Sequence, residues 1–225
     1  MARPLIVAID GPAGAGKSSV SKILSLRLGF TLVDTGAIYR CVALKARRGG
    51  VGLDDEAGLQ RVVDGLSVAF KMSEEKNHVF LDGEDVSEAI RTPENSLAAS
   101  RVSAQPVVRG ALLGLQRKLA LAASEGAILE GRDIGTVVFP DAELKIFLFA
   151  DPKVRAGRRF EELFQKGHEK PVEQVLAEQN RRDKEDSERE LAPLRPADDA
   201  VQIDSTLLPL SEVVHRIEGL VAAAG

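Results

Sequence analysis

Only one cysteine, Cys41, occurs in the sequence, so no internal disulfide can form and the fold has to hold together by burial alone. Long apolar runs are missing as well: Leu5–Ile9 and Ile146–Ala150 fall far short of the roughly 20 residues that a membrane-spanning helix needs. The opening MARPLIVAIDG carries no basic leader followed by a long apolar stretch, the pattern of a secretory signal. A reducing, cytoplasmic setting without a membrane is therefore expected. Positive charge is not in excess, since 30 Lys and Arg face 34 Asp and Glu for a net charge of −4. That balance argues against a general nucleic-acid-binding face. Internal repeats and low-complexity tracts are absent, and so is any Asn-Lys-x-Asp segment after a strand that would read guanine. The one D-x-x-G, Asp55 to Gly58, is expected in a charged loop rather than after a core strand.

What is present suits one sizeable domain. With 225 residues, 44% apolar and 28% charged, the chain can bury a core without a metal or disulfide staple. Leu5 to Asp10 reads as a buried parallel strand, ended by Gly11 and Pro12. From Ser18 the apolar positions Val20, Ile23, Leu24 and Leu28 repeat at helical spacing, and Gly29 closes the helix. FTLVD reads as a second strand up to Asp34, followed by a helix from Ala37 to the basic pair Arg47 and Arg48 and the breakers Gly49 and Gly50. Further strands are expected at Ala127–Glu130, Leu144–Ala150 and Ala200–Asp204, which makes five core strands. Strands alternating with helices imply an α/β, doubly wound parallel sheet covered on both faces. One stretch breaks the rhythm. Leu66, Val68, Phe70 and Met72, then Val79 and Leu81, alternate around SEEKN as in an antiparallel hairpin, and Thr92-Pro93 reads as a helix start. Residues 64–105 are therefore expected to form a small inserted lobe of hairpin and helix within a single domain of residues 1–225.

Gly11-Pro-Ala-Gly14-Ala15-Gly16-Lys17-Ser18 matches G-x-x-x-x-G-K-[ST] between a strand and a helix, the context in which that pattern forms a phosphate-binding loop. Its glycines let successive N–H groups and the positive helix end face a phosphate. Lys17 adds a point charge, and Ser18 can ligate Mg²⁺. Such a loop serves GTPase switches, motors and small-molecule kinases alike, so other residues have to choose. Asp34-Thr-Gly-Ala-Ile-Tyr-Arg40 places a hydroxyl, a glycine and an arginine where a strand passes into a helix. Alone this is a capped helix with an exposed arginine, but beside the phosphate loop it suggests a second anion site. Seven arginines and four lysines lie between residues 151 and 195 with acidic residues interleaved, a pattern that also fits a solvated helical face.

The blocks IDGPAGAGKSS, DTGAIYR, GRDIGTVVFPDA (Gly131 to Ala142) and RRDKEDSERELAPL stand in the order found in bacterial cytidylate kinases, and most of the chain resembles that family. The inserted hairpin lobe resembles the family's enlarged monophosphate-binding region. The resemblance implies a phosphotransferase that moves the γ-phosphoryl group of Mg-ATP to CMP or dCMP. Gly11, Gly14, Ala15, Gly16, Lys17, Ser18 and Ser19 would hold ATP, with Ser18 on the metal. Thr35, Arg40, Arg132 and Arg189 would hold the acceptor phosphate, Ser100, Arg109 and Asp133 would face cytosine, and Arg182 and Asp186 would lie near the sugar. Cytosine offers an amino donor beside acceptors, which an Asp and an Arg complement, whereas uracil would leave that Asp unpaired.

Arg155, Arg158 and Arg159 open what resembles the family's lid, at about 153–170, with Arg158 on the ATP phosphates; Lys17, Arg132 and Arg158 are the expected catalytic residues. Thr35 stands where many members carry Ser, and KEDSE at 184–188 is more acidic than the family's usual element. No general base is required, because the attacking phosphate oxygen of CMP, with a second pKa of about 6, is already mostly ionised near neutrality. His78, His168 and His215 are accordingly expected to be structural, and Cys41 a core residue. A monomer without nucleic-acid or membrane partners is expected. Kinases for UMP, dTMP or shikimate, and a non-catalytic nucleotide switch, remain the alternatives.

Overall fold

The computed structural model describes residues 3–73, 76–165, 167 and 169–225. Two residues of the SEEKN turn and His168 lie outside the described residues, as does part of the expected lid segment. Strands β1 (Leu5–Asp10), β2 (Thr31–Asp34), β6 (Gly126–Gly131), β7 (Leu144–Phe149) and β8 (Val201–Asp204) form one sheet in the order β2-β6-β1-β7-β8, and every pairing is parallel. This is the five-stranded sheet expected.

An unbroken apolar run such as LIVAI suits a strand buried on both faces. In β1, Ile6 and Ala8 join one core cluster with α2 (Thr35–Arg48), α3 (Glu56–Asp64), α4 (Pro93–Ser103) and α5 (Pro106–Leu121). Val7 and Ile9 join a second cluster on the opposite face, with α1 (Lys17–Leu28) and α8 (Leu210–Ala224). Each fully buried Ile or Leu contributes about 2 kcal/mol, so both layers are firmly docked. Two further helices, α6 (Pro152–Gln165) and α7 (Val172–Ser187), pack on each other through Ala156, Leu163 and Val175. They flank the sheet at the C-terminal ends of β1 and β7.

The alternating segment forms a separate antiparallel sheet: β3 (Val68–Met72), β4 (Asn77–Leu81) and a short β5 (Glu84–Asp85). Val68, Val79 and Leu81 point inward onto the α2 side of the core. The third strand was not expected from the hydrophobic pattern, although Asp82-Gly83 marks it. Both residues are left-handed (φ 51° and 88°), the backbone that a two-residue hairpin turn demands. Thr92 caps α4 by accepting the Asn95 N–H, with Pro93 at the first helical position, as expected.

Two boundaries differ from expectation. Helix α2 begins at Thr35 rather than Ala37, because Asp34 Oδ1 accepts the Ala37 N–H at 2.8 Å and draws the first turn forward. Asp55 to Gly58 is not a charged loop: Asp55 caps α3 by accepting the Gly58 N–H at 2.9 Å. Cys41 is fully buried, and burial pushes its thiol up to about 12, so it serves as packing. His78 pairs with Asp85 at 2.8 Å within the small sheet, and His215 is exposed on α8. Among the described residues no helix is long and apolar enough to cross a membrane.

Gly83→Ala places a Cβ on a left-handed residue. It should cost about 1 kcal/mol in urea unfolding, and an unchanged midpoint would show that the turn relaxes freely.

Candidate active site

The loop between β1 and α1 takes its shape from close approach. A Cβ on Gly11 (φ 147°) would fall 1.9 Å from the Leu148 carbonyl oxygen, and one on Gly14 (φ 76°) would press on the Arg155 backbone and the Gln179 amide. Gly16 (φ 95°) is the left-handed residue from which α1 starts. Lys17 folds back so that its ammonium donates to the carbonyls of Gly11 and Pro12, at 2.7 and 2.8 Å. Ser18 and Ser19 are exposed at the helix start, and Ser18 Oγ donates to Glu130 at the end of β6 at 2.9 Å. Ala15 is buried, and its carbonyl accepts from Ser205 Oγ at 3.0 Å.

Facing this loop, the β6 end and the turn after it present Arg132 and Asp133. Arg132 Nε donates to Asp186 Oδ2 at 3.0 Å, while Arg189 donates to the other oxygen of the same carboxylate at 2.6 Å. Asp186 is thus a buried spacer holding two guanidiniums together, and both its oxygens are engaged by arginine. Asp133 is buried and ion-paired with Arg109, which also donates to the Ser103 carbonyl and lies over the Tyr39 ring at 5.6 Å. Thr35 is buried and donates its hydroxyl to the Glu130 carbonyl at 2.7 Å. Ser100 lies on α4 one turn from this group, and its carbonyl accepts from Ser103 Oγ. Arg158 is on the phosphate-loop side, donating to the carbonyl and hydroxyl of Ser205 at 2.7 and 3.2 Å.

The electrostatics are those of a site short of negative charge. Burial pushes the Lys17 ammonium below its usual range, and the nearby Arg132 pushes it further. Burial and Arg132 also bring Arg182 down to about 10. Arg40 and Arg189 are lowered as well, chiefly by burial, while Asp34 and Asp186 respectively oppose the fall. Glu130 is raised by burial, with Asp34 adding to the rise and Lys17 opposing it. Clustered cations that have lost their water favour an incoming polyanion.

Helix α7 carries two kinds of surface. Arg181–Glu185 and Lys184–Glu188 are exposed pairs one turn apart, the solvated face that the interleaved charges suggested. Gln179, Arg182, Asp183 and Asp186 lie on the inner face. Several residues have parts in the site that the sequence alone does not assign. Arg155 is buried and links the Ala13 carbonyl of the loop to Asp183, at 3.0 and 2.6 Å. Arg91 sits 3.6 Å from Asp34, and Arg40, Arg91, Ser96, Arg159 and Glu162 line a polar cavity of about 220 Å³. Glu130 and Asp10 read from the sequence only as strand residues. Their signal, an acidic residue at the end of an otherwise apolar strand, was in the sequence.

Asp186→Ala would leave two guanidiniums facing each other. It should cost about 3 kcal/mol, and added inorganic phosphate should raise the melting temperature of the variant more than that of the wild type. Equal phosphate responses would show that the arginines separate without their spacer.

A family model described as cytidylate kinase matches residues 7–223. The cytidylate kinase of Syntrophotalea carbinolica is 51% identical over 222 residues, covering 99% of this chain and 94% of that protein. That of Geobacter sulfurreducens is 52% identical, covering 97% and 93%, and that of Pelotomaculum thermopropionicum 52% identical, covering 96% of each. Among solved structures, a shikimate kinase from Bacteroides thetaiotaomicron aligns at 12% identity with a TM-score of 0.48, covering 97% of this chain and 98% of that one, a likeness too loose to bear on the acceptor. With a family match over nearly its whole length and relatives about half identical end to end, the chain belongs to the cytidylate kinase family.

Proposed function

We propose that the site carries out the family's ATP-dependent phosphorylation of CMP, and of dCMP, with the residues above in the following roles. The phosphate loop from Gly11 to Ser19 holds the donor phosphates on its N–H groups and on the positive start of α1. Lys17 is released from the Gly11 and Pro12 carbonyls to follow the migrating phosphoryl group. Arg158, anchored beside the loop by Ser205, neutralises charge on the donor side.

Arg132 and Arg189, spaced by Asp186, grip the acceptor phosphate together with Arg40 and the Thr35 hydroxyl. Arg182 reaches the sugar from α7, with Asp186 at its edge. Asp133 and Arg109 meet the cytosine amino group and its acceptors, with Ser100 beside them; the Asp133–Arg109 pair supports this reading because Asp133 is buried, Arg109 is mostly shielded, and the two are complementary to that base edge. Residues 64–105 act as the acceptor lobe and residues around 153–170 as a lid that excludes water.

Ser18 Oγ beside the buried Glu130 carboxylate suits Mg²⁺, with nucleotide oxygens completing the shell. Bound there, the ion would supply positive charge against the donor phosphates. Among the described residues no group of three acidic, His or Cys side chains could cage a metal alone, which fits an ion that arrives with the nucleotide.

The observation that carries the reading is the opposition of the phosphate loop to the Arg132–Asp186–Arg189 cluster. Catalysis here consists of aligning two polyanions and offsetting their repulsion, and both halves are present.

ADP release from Mg-ATP should be strong with CMP and dCMP and weak with UMP, AMP, GMP, dTMP and shikimate. Activity mainly with another acceptor would overturn the base assignment, and silence across the panel would overturn turnover itself. Arg132→Ala should lower kcat/KM by about 100-fold or more. Arg158→Ala should lower kcat far more than it weakens CMP binding, and an unchanged kcat would remove Arg158 from the donor site.

A further inference from the structure

Asp10 ends β1, is 5% exposed, and lies immediately before the first glycine of the phosphate loop. Its two carboxylate oxygens accept two consecutive backbone amides: Oδ1 takes the Ile134 N–H at 2.8 Å and Oδ2 the Gly135 N–H at 2.7 Å. Those amides open the tight π-helical turn Ile134–Val138, whose later N–H groups return to the carbonyls of Asp133 and Ile134. Arg132 and Asp133 directly precede the turn. Asp10 is therefore joined by a peptide bond to the donor loop and by two hydrogen bonds to the segment that carries Arg132 and Asp133.

We propose that Asp10 is a positioning residue that sets the acceptor-reading segment Arg132-Asp133 at a fixed distance from the phosphate loop. The inference rests on the roles proposed above for those two residues. An apolar residue could fill the same buried space, but none could hold both amides. The charge is kept against its surroundings. Burial raises the carboxyl to about 6; the amides of Gly135 and Ile134 oppose the rise, Asp133 adds to it, and Lys17 from α1 opposes it. The stem of Lys145 from β7 also packs close to Gly135, with its ammonium turned away to Asp199. Because the folded carboxyl titrates above its ordinary value, stability conferred by the protonated form is lost as pH rises from about 4 through about 6.

The experiment compares Asp10→Asn with wild type for kcat and KM with CMP and UMP, and for affinity toward a non-hydrolysable ATP analogue without acceptor. Asparagine retains one acceptor oxygen and turns a donor NH₂ toward the other amide, so the segment should shift. The expected result is a fall in kcat with CMP of about tenfold or more and a narrowed CMP-over-UMP preference, with affinity for the ATP analogue unchanged. An unchanged kcat, or equal losses at donor and acceptor with the base preference intact, overturns the proposal and leaves Asp10 a structural residue. A wild type with no preference for CMP would instead defeat the assignment of Asp133 on which the inference rests, before any variant is made. Should Asp10→Asn fail to fold, the Ile134 and Gly135 amide protons of the wild type should shift together, with one shared midpoint, as the Asp10 carboxylate takes up its proton. Different midpoints for the two amides overturn the shared carboxylate contact.

Discussion

Five basic groups, Lys17, Arg40, Arg132, Arg182 and Arg189, crowd the space beyond the C-terminal ends of β1 and β6, and the surrounding structure depends on keeping them there. Left to themselves they would separate into water. They are kept by carboxylates placed with care: Asp186 between Arg132 and Arg189, Asp133 against Arg109, Asp34 near Arg40, and Glu130 beneath Ser18 and near Lys17. Too much negative charge would cancel the attraction for nucleotide phosphates, and too little would unfold the cluster. The lowered pKa values of Lys17 and Arg182, caused first by burial and then by the neighbouring Arg132, register that compromise.

The parallel sheet makes the arrangement possible. Strands β1 and β6 are neighbours in register, so Asp10 lies beside Gly131 and the donor loop faces the acceptor segment across one strand spacing. Helices α6 and α7 then close the cluster from outside through Arg155, which is bonded to the loop and to Asp183 at once. A hydrogen-bonded pair of strands thus sets the distance between the phosphate loop and the Arg132-Asp133 segment, while α6 and α7 lie outside the sheet. A fixed spacing is what in-line transfer between two anions requires.

Period and punctuation made much of the fold legible in the sequence. Apolar runs marked the central strands β1, β6 and β7 because both of their faces are buried, and Thr92-Pro93 marked the start of α4 because the cap is a local hydrogen bond. The phosphate loop was legible for the same reason: glycine spacing and a strand before it are local properties. The third strand of the small sheet is too short to show an alternation, so only the Asp82-Gly83 turn could have announced it. The α2 boundary moved because a cap can reach three residues forward.

The sequence by itself determined the class of fold, the phosphate loop and, through the order of its motif blocks, the family. These rest on local residue types at fixed spacings, which need no knowledge of what lies opposite. Only the tertiary structure decided that Asp186 serves as a spacer between arginines, that Arg155 ties the loop to α7, and that Asp10 holds the Ile134 and Gly135 amides 124 and 125 residues away. Those roles belong to pairs of residues brought together by the parallel crossover, and a partner distant along the chain leaves no periodic trace beside the residue it holds.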